Sequence, residues 1–255
     1  MINEIYENIN IKDTIKQNWD KSSKDYDQSP GHGIHTEQEK EAWMNLLTLA
    51  IGSKKQKILD VGTGTGAMAL VLAEMGHDVI GIDLSDGMLN KAKEKAKKAN
   101  LPVEFEIGDA EKLSFSDNTF DVVINRHLLW TLPDPEKAIK EWNRVLKSGG
   151  HVVIIDGNFK NYSLYRKLWR YCISVPLILI TEWKNPFHKR YSKDLEQRLP
   201  MRHRERPQAD IDLLTNAGFR DIGVVNETVA RTYSFLDHLK YGYWSRHFLI
   251  KGVKQ

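Results

Sequence analysis

Cysteine is almost absent from this chain of 255 residues, which has only Cys172. No disulfide can therefore form within the chain, and a structural metal site would need ligands other than paired thiolates. The first ten residues carry acids and asparagines, whereas a secretory signal begins with basic residues followed by an apolar run. These absences favour a reducing compartment, and we expect a cytoplasmic protein.

Long apolar runs are missing as well. The most apolar stretch, 171–180, is short and is interrupted by Pro176, whereas a membrane-spanning helix needs about 20 apolar residues. No transmembrane segment is therefore expected. We interpret this stretch as a core or pocket-lining helix, with contact to a lipid-soluble substrate or a membrane surface as the alternative.

The most informative segment is 58–66, which reads Ile-Leu-Asp-Val-Gly-Thr-Gly-Thr-Gly. It predicts a short buried strand, a glycine-rich turn at Gly62, Gly64 and Gly66, and a helix that follows. Such a turn brings backbone N–H groups and a helix N-terminus close to a bound ligand. Asp83 ends the next apolar run about 20 residues later, where a carboxylate can accept both hydroxyls of a ribose. A nucleoside cofactor is therefore predicted, although Asp83 can also be interpreted as a helix cap.

Asp60, just before the glycines, narrows the choice of cofactor. The spacing of the glycines also fits the looser dinucleotide fingerprint, so it does not identify the ligand. A negative charge at Asp60 is unfavourable beside a pyrophosphate, but it attracts a cation such as the sulfonium and ammonium groups of S-adenosylmethionine. The charge therefore favours a cationic nucleoside.

Three further motifs accompany this loop: Gly108-Asp109-Ala110, Leu-Pro-Asp-Pro at 132–135 and Lys-Ser-Gly-Gly at 147–150. Together with 58–66, they make residues 56–157 resemble the class I S-adenosylmethionine-dependent methyltransferases, particularly the small-molecule group that includes the ubiquinone and menaquinone methyltransferases. The resemblance implies S-adenosyl-L-methionine as cofactor and S-adenosyl-L-homocysteine as product. It also implies a Rossmann-like fold.

The cofactor site follows from these motifs and from the resemblance. Asp109 with Ala110 resembles the pair that recognises the adenine amino group, and Leu84 and Met88 would flank the adenine, although Met88 can equally be a packing residue. The expected cofactor contacts are Tyr26, Asp60, Gly62, Gly64, Gly66, Asp83, Leu84, Met88, Asp109, Ala110, Asn125 and Arg126.

Two histidines are candidate catalytic residues. His127 lies just beyond the fourth strand, and an imidazole is suited to proton transfer near neutral pH. A base is needed only if the acceptor arrives protonated, and His127 can also be interpreted as a packing residue. His32, in the glycine-rich loop at 26–35, is a possible substrate contact, as is His35. No metal site is expected, because nothing in the histidine spacing requires one.

The order of elements predicts an α/β fold. Strands are expected near 57–61, 78–83, 103–107, 120–125 and 151–156, and helices near 36–50, 65–75, 86–99, 135–147 and 208–217. This alternation implies a doubly wound, mostly parallel sheet, and two late strands at 222–229 and 244–253 would complete it as an antiparallel pair, making seven strands with the last one antiparallel. We divide the chain into N-terminal helices with a covering loop (1–52), a cofactor-binding core (53–157), a basic lid insertion (158–207) and a C-terminal helix with strands (208–255).

Charge is distributed unevenly. Residues 1–50 carry a local net charge of −4, whereas residues 159–206 hold twelve basic and four acidic side chains, a local net charge of +8. A basic lid favours an anionic or carboxylate-bearing substrate, although a solvated helix face would have the same composition. Nucleic acid is disfavoured, because no aromatic residue interleaves the basic cluster 202–206.

We therefore expect a methyltransferase that acts on a small molecule, with oxygen or nitrogen as the favoured acceptor atom. The family's quinone enzymes have Asn-Val where this chain has His127-Leu128, which weakens the case for a quinone. The alternatives are a nicotinamide-dependent oxidoreductase and a non-catalytic module that only binds S-adenosylmethionine. The oligomeric state cannot be read from the sequence.

Overall fold

A computed structural model describes residues 2–28, 32–158, 164–182, 191–226, 236, 239–240 and 246–255. Its strands are β1 (Lys57–Val61), β2 (Asp78–Asp83), β3 (Glu104–Ile107), β4 (Phe120–Arg126), β5 (Leu146–Asn158), β6 (Phe219–Asn226) and β7 (Arg246–Lys254). In this described part they form one sheet in the order β3-β2-β1-β4-β5-β7-β6, in which β7 runs in the opposite direction to the other six strands. The predicted Rossmann-like fold class is confirmed.

Helices cover both faces and one end of this sheet. Their bounds are α1 (Ile2–Ser22), α2 (Glu37–Ile51), α3 (Ala67–Glu74), α4 (Asp86–Ala99), α5 (Pro135–Val145), α6 (Leu164–Trp169), α7 (Val175–Glu182), α8 (Lys193–Gln197) and α9 (Gln208–Asn216). A π-helical turn, Arg170–Ser174, joins α6 to α7. None of the helices in the described ranges has the length and hydropathy needed to cross a bilayer.

Local sequence signals explain where several helices begin. The Ser85 hydroxyl accepts the Met88 N–H at 3.1 Å and caps α4. Asp134 caps α5 by accepting the Lys137 N–H at 2.9 Å. Each cap satisfies a backbone donor that has no partner within the helix. Both helices therefore start where the cap residues predicted.

The core has two apolar layers, one on each face of the sheet. Successive side chains of β4 alternate between them: Val123 packs in the layer that contains Trp142, and Val122 and Ile124 pack in the layer that contains Trp43. This alternation follows from the two-residue period of a strand. Because both faces are covered, the ligand-accessible edge is the one formed by the carboxyl ends of the parallel strands.

Several bounds differ from those expected. Strand β5 already begins at Leu146, so residue 147 belongs to this strand and not to the expected helix 135–147, and the strand starts five residues before the expected position 151. Strand β6 begins at Phe219, and the expected strand positions 227–229 and 244–245 lie outside the described residues. The division of the chain after residues 52, 157 and 207 stays a prediction.

The apolar run at 171–180 is only partly internal. Val175 and Ile178 are buried, which agrees with a core helix, but Tyr171, Leu179 and Ile180 are exposed. Three of the seven large apolar side chains in this run are therefore exposed, and the expected core or pocket-lining helix describes only part of the run.

Candidate active site

A cleft lies at the carboxyl ends of β1, β2 and β4 and encloses about 690 Å³ of space that opens to solvent. Most of the predicted site residues line it: Tyr26, Gly62, Gly64, Asp83, Leu84, Met88, Asp109, Ala110, Arg126 and His127. These residues come from five separate stretches of the sequence, and the fold brings them together at one cleft.

The three loop glycines have different surroundings. All have positive φ (67°, 57° and 80° for Gly62, Gly64 and Gly66), a conformation that costs other residues about 1–2 kcal/mol. A Cβ on Gly62 would lie 2.7 Å from Leu128, whereas a Cβ on Gly64 would meet nothing within 4 Å. Gly64 is therefore the glycine at which the backbone borders open space.

Gly66 does not line the cleft. A Cβ there would lie 3.0 Å from Ala92 Cβ and 3.2 Å from the Phe105 ring. Its glycine allows the loop to approach α4 and β3 closely. Gly66 therefore has a packing role, and its contact with a ligand stays a prediction.

Asp83 connects the glycine loop to the end of β2. Its carboxylate accepts the backbone N–H of Gly64 at 2.9 Å and that of Ser85 at 2.9 Å. Burial raises the pKa of this carboxyl to about 6, although the backbone hydrogen bonds oppose the change. Asp83 thus holds the loop in place and still presents a carboxylate to the cleft.

Asp60 lies beneath the loop and does not line the cleft. It is 1% exposed and accepts the Thr63 hydroxyl at 2.6 Å. Burial raises the pKa of its carboxyl to about 6, and the nearby charge of Asp83 adds to the increase. Asp60 therefore supports the loop and can act on a ligand only through its charge.

Asp109, at the far end of the cleft, forms ion pairs that the sequence did not predict. Lys12 of α1 lies 2.7 Å from the Asp109 carboxylate and 2.6 Å from that of Glu111. Although burial lowers the pKa of the Lys12 ammonium, these two hydrogen bonds outweigh burial and raise it. Helix α1 is thus fixed over the cleft by charge.

Aromatic contacts close the same side of the cleft. The Trp19 ring packs edge-on against Tyr26, with centroids 5.7 Å apart, and Tyr26 stacks on His32 at 4.4 Å. Trp19 and Ile15 also line the cleft. His32 therefore lies beside the site, behind Tyr26, and is not itself a lining residue.

The two residues that end β4 have different positions. Asn125 is fully buried, and its amide lies 3.5 Å from the Val153 carbonyl oxygen, so it does not reach the cleft. Arg126 is among the residues that line the cleft, and its guanidinium lies 4.9 Å from the Trp43 ring and donates to the His32 carbonyl at 3.2 Å. Of this pair, only Arg126 is placed to meet a ligand.

His127 is held by a buried charge network. Its Nδ1 lies 3.4 Å from Asp156, and the other Asp156 oxygen lies 2.7 Å from Arg206. Arg206 also pairs with the buried Asp210. His127 has φ 57° and donates its backbone N–H to the Ile155 carbonyl at 2.9 Å, so its backbone is also fixed. Asp156 and Arg206 are 50 residues apart, and no local sequence signal pairs them.

The basic cluster at 202–206 is largely neutralised. Arg206 is buried between two aspartates, Arg202 lies 2.9 Å from Glu196, and Arg204 lies 2.7 Å from Glu136. The residues 202–206 therefore add little to the positive charge of the segment 159–206, and the preference of this segment for an anionic substrate stays a prediction. Basic residues at 184, 189 and 190 lie outside the described residues.

Metal ligation has no support among the residues whose placement is described, because no three His, Cys, Asp or Glu side chains gather there as ligands would. His35, one of the three histidines considered, instead donates its backbone N–H to Glu39 at 3.0 Å.

Comparisons with known proteins agree with this geometry. Residues 59–154 match the family model described as "Methyltransferase domain". A demethylmenaquinone methyltransferase of Bacteroides fragilis is 39% identical over 107 residues, which cover 40% of this chain and 44% of that protein. Phosphoethanolamine N-methyltransferase 3 of Arabidopsis thaliana is 38% identical over 125 residues, 49% of this chain and 24% of that protein. The chain thus spans less than half the length of these two relatives.

A solved structure shows the same fold. Phosphoethanolamine N-methyltransferase 2 of Haemonchus contortus, in complex with phosphomonomethylethanolamine and S-adenosylhomocysteine, aligns with a TM-score of 0.64 and 22% identity. The alignment covers 96% of this chain and 60% of that one. At this identity the likeness establishes the fold alone, and the match over residues 59–154 agrees with the resemblance to methyltransferases that the motifs predict.

Proposed function

We propose that this chain, whose residues 59–154 match a family model for a methyltransferase domain, is a class I S-adenosylmethionine-dependent methyltransferase that transfers a methyl group from that donor to a small molecule. The observation that carries the proposal is the pairing of Gly64 and Asp83: a left-handed glycine loop is held by a carboxylate at the mouth of a cleft. Ligands bind at this edge in open α/β sheets.

The donor would be held by the residues that line this cleft. We assign the ribose hydroxyls to Asp83 and the adenine to Leu84, Asp109 and Ala110. The methionine part of the donor is assigned to Gly64, because the space next to its Cα is open. Displacement of Lys12 from Asp109 is not required, because each carboxylate oxygen can accept more than one hydrogen bond.

Charge favours this donor over a dinucleotide. Asp60 is buried beneath the glycine loop and Asp83 is half-buried beside it, and desolvation raises the pKa of each carboxyl to about 6. A cationic donor would favour their ionised forms, whereas a pyrophosphate would be repelled by them. The nicotinamide alternative is therefore disfavoured.

When bound, S-adenosylmethionine supplies a methyl carbon attached to a positively charged sulfur leaving group. The residues of this chain mainly have to align the acceptor, and alignment can lower a barrier by roughly 7–11 kcal/mol. His127 can accept a proton from an amine or hydroxyl acceptor at its Nε2 atom, because Asp156 is positioned to accept a hydrogen bond from Nδ1. Asp156 is then a positioning residue.

For the acceptor we favour a nitrogen or oxygen nucleophile on a small molecule that carries an anionic group. Arg126 offers a cationic side chain in the cleft, close in sequence to His127. One relative is named for phosphoethanolamine, an amine that carries a phosphate, which is compatible with this choice.

Two measurements test the proposal. Titration calorimetry with S-adenosylmethionine and with NADH should show binding of the first alone. Incubation with donor labelled in the methyl group should then label phosphoethanolamine more than uncharged ethanolamine. Binding of NADH alone would support the oxidoreductase, and donor binding without label transfer to any of a broad set of acceptors would support a non-catalytic module.

A further inference from the structure

The helical stretch at 164–182 exposes large apolar side chains. Leu164, Tyr165, Leu168 and Tyr171 are 75%, 59%, 56% and 58% exposed. Leucines 164 and 168 and Tyr171 recur at the three- and four-residue spacing of one helix face, and Tyr165 lies beside them. A monomeric soluble protein rarely exposes an apolar patch of this kind without a function.

These side chains are exposed although the stretch itself is packed against the rest of the protein. Val175 and Ile178, in the C-terminal half of the stretch, are buried, and the Trp169 indole N–H donates to the Leu239 carbonyl at 3.0 Å. The Ser174 hydroxyl donates to the same carbonyl at 3.2 Å. The stretch is therefore attached to the protein through Trp169, Ser174 and its buried C-terminal half, whereas its N-terminal turns expose the apolar face.

The surrounding sequence is strongly basic. Residues 159–190 hold seven Lys or Arg and a single acid, Glu182. That acid lies 3.0 Å from Lys240, so its charge is compensated. Lys167 is exposed within the apolar face itself. An apolar helix face accompanied by Lys and Arg is the composition of helices that lie in the interface of an anionic bilayer.

The position of the stretch relates it to the cleft. It follows β5 after five intervening residues, and β5 ends three residues after Ile155, whose carbonyl accepts the N–H of His127. Five residues span at most about 18 Å. The apolar face therefore begins near the edge of the sheet at which the cleft opens.

We propose that residues 164–180 dock this protein onto an anionic lipid bilayer, with the exposed apolar face inserted among the headgroups and acyl chains. The helix lies in the interface and does not span the membrane. Docking is a property of this surface and goes beyond the proposed methyl transfer. It would give the cleft access to amphiphilic acceptors.

Sedimentation with lipid vesicles tests this proposal. The protein should sediment with vesicles of phosphatidylcholine mixed with phosphatidylglycerol, sediment less with phosphatidylcholine alone, and be released by added salt. Leu168→Glu should reduce the bound fraction about tenfold or more, and Lys167→Glu should reduce it in anionic vesicles alone. Leu49→Glu is the matched control, because Leu49 is an 83% exposed leucine on α2 and lies outside the patch.

Three results would overturn the proposal. The first is that the protein sediments with neither kind of vesicle, and the second is that Leu168→Glu sediments with vesicles as well as the original chain does. The third is that sedimentation velocity without lipid shows a dimer, that Leu168→Glu dissociates this dimer, and that the protein does not bind vesicles. Donor binding is measured on the same preparations, and Leu168→Glu should leave it unchanged. A failure to bind vesicles with normal donor binding would overturn the docking proposal alone, whereas a failure to bind the donor would overturn the proposed function.

Discussion

Replacing Asp60 by asparagine should stabilise the unliganded protein while weakening donor binding. Burial raises the pKa of the Asp60 carboxyl from its ordinary value of 3.8 to about 6. The folded state therefore binds a proton more tightly than the unfolded state does, and the stability due to this group is lost as the pH rises through 6. At pH 8 the ionised group destabilises the fold by about 3 kcal/mol, at about 1.4 kcal/mol per pKa unit.

Asparagine removes this charge but keeps one acceptor for the Thr63 hydroxyl, which lies 2.6 Å from Asp60. The weaker hydrogen bonding should cost about 1–2 kcal/mol, which leaves a net gain of about 1–2 kcal/mol at pH 8. At pH 5 the advantage should be about 1.5 kcal/mol smaller, because Asp60 is then mostly protonated in the folded state. This difference between the two pH values does not depend on the hydrogen-bond term.

Urea unfolding of both proteins at pH 8 and pH 5 measures the difference. Asp78→Asn is a suitable control, because the Asp78 side chain is exposed at the start of β2 and its replacement should leave the difference near zero. If Asp60→Asn had the same relative stability at both pH values, Asp60 would not be the buried ionised group described here. If Asp60→Asn bound S-adenosylmethionine as tightly as the original protein does, the charge argument for this donor would fail.

Three further predictions concern the cleft. Gly64→Val should abolish donor binding in calorimetry. It should lower the melting temperature no more than the control Gly76→Val does, because both glycines have positive φ and open space at the Cβ position. Normal donor binding by Gly64→Val would mean that the site is misplaced. His127→Gln should lower kcat by about 10²–10⁴-fold with donor affinity unchanged, and an unchanged kcat would mean that the acceptor arrives deprotonated. Donor affinity should fall about tenfold from pH 7 to pH 5 if one ionised carboxylate with a pKa of about 6 is required, as expected for Asp83; constant affinity would contradict this requirement.

The sequence predicted the parts of the fold that local physics determines. Apolar strand runs such as 122–124 and cap residues such as Ser85 and Asp134 act over a few positions, so their consequences can be read without the structure. The glycine loop and Asp83 were found in the same way, because a turn followed by a carboxylate at a fixed distance is a local pattern.

Partners distant in the chain could not be predicted. Lys12 and Asp109 are 97 residues apart, and nothing in either neighbourhood indicates their ion pair. The spacing of residues in the sequence also predicts that a residue lies in a loop or at a strand end, but it does not predict whether that residue faces the cleft or the core. Gly66 was therefore expected at the ligand although it packs on Ala92, and Asn125 was expected in the cleft although it is buried.

A crystal structure of the protein with S-adenosylhomocysteine tests the central claim most directly. The ribose should lie on the Asp83 carboxylate, the adenine beside Asp109 and Ala110, and the amino-acid part along Gly64. A ligand bound away from this cleft, or a competing dinucleotide whose phosphates lie on the glycine loop, would contradict the account.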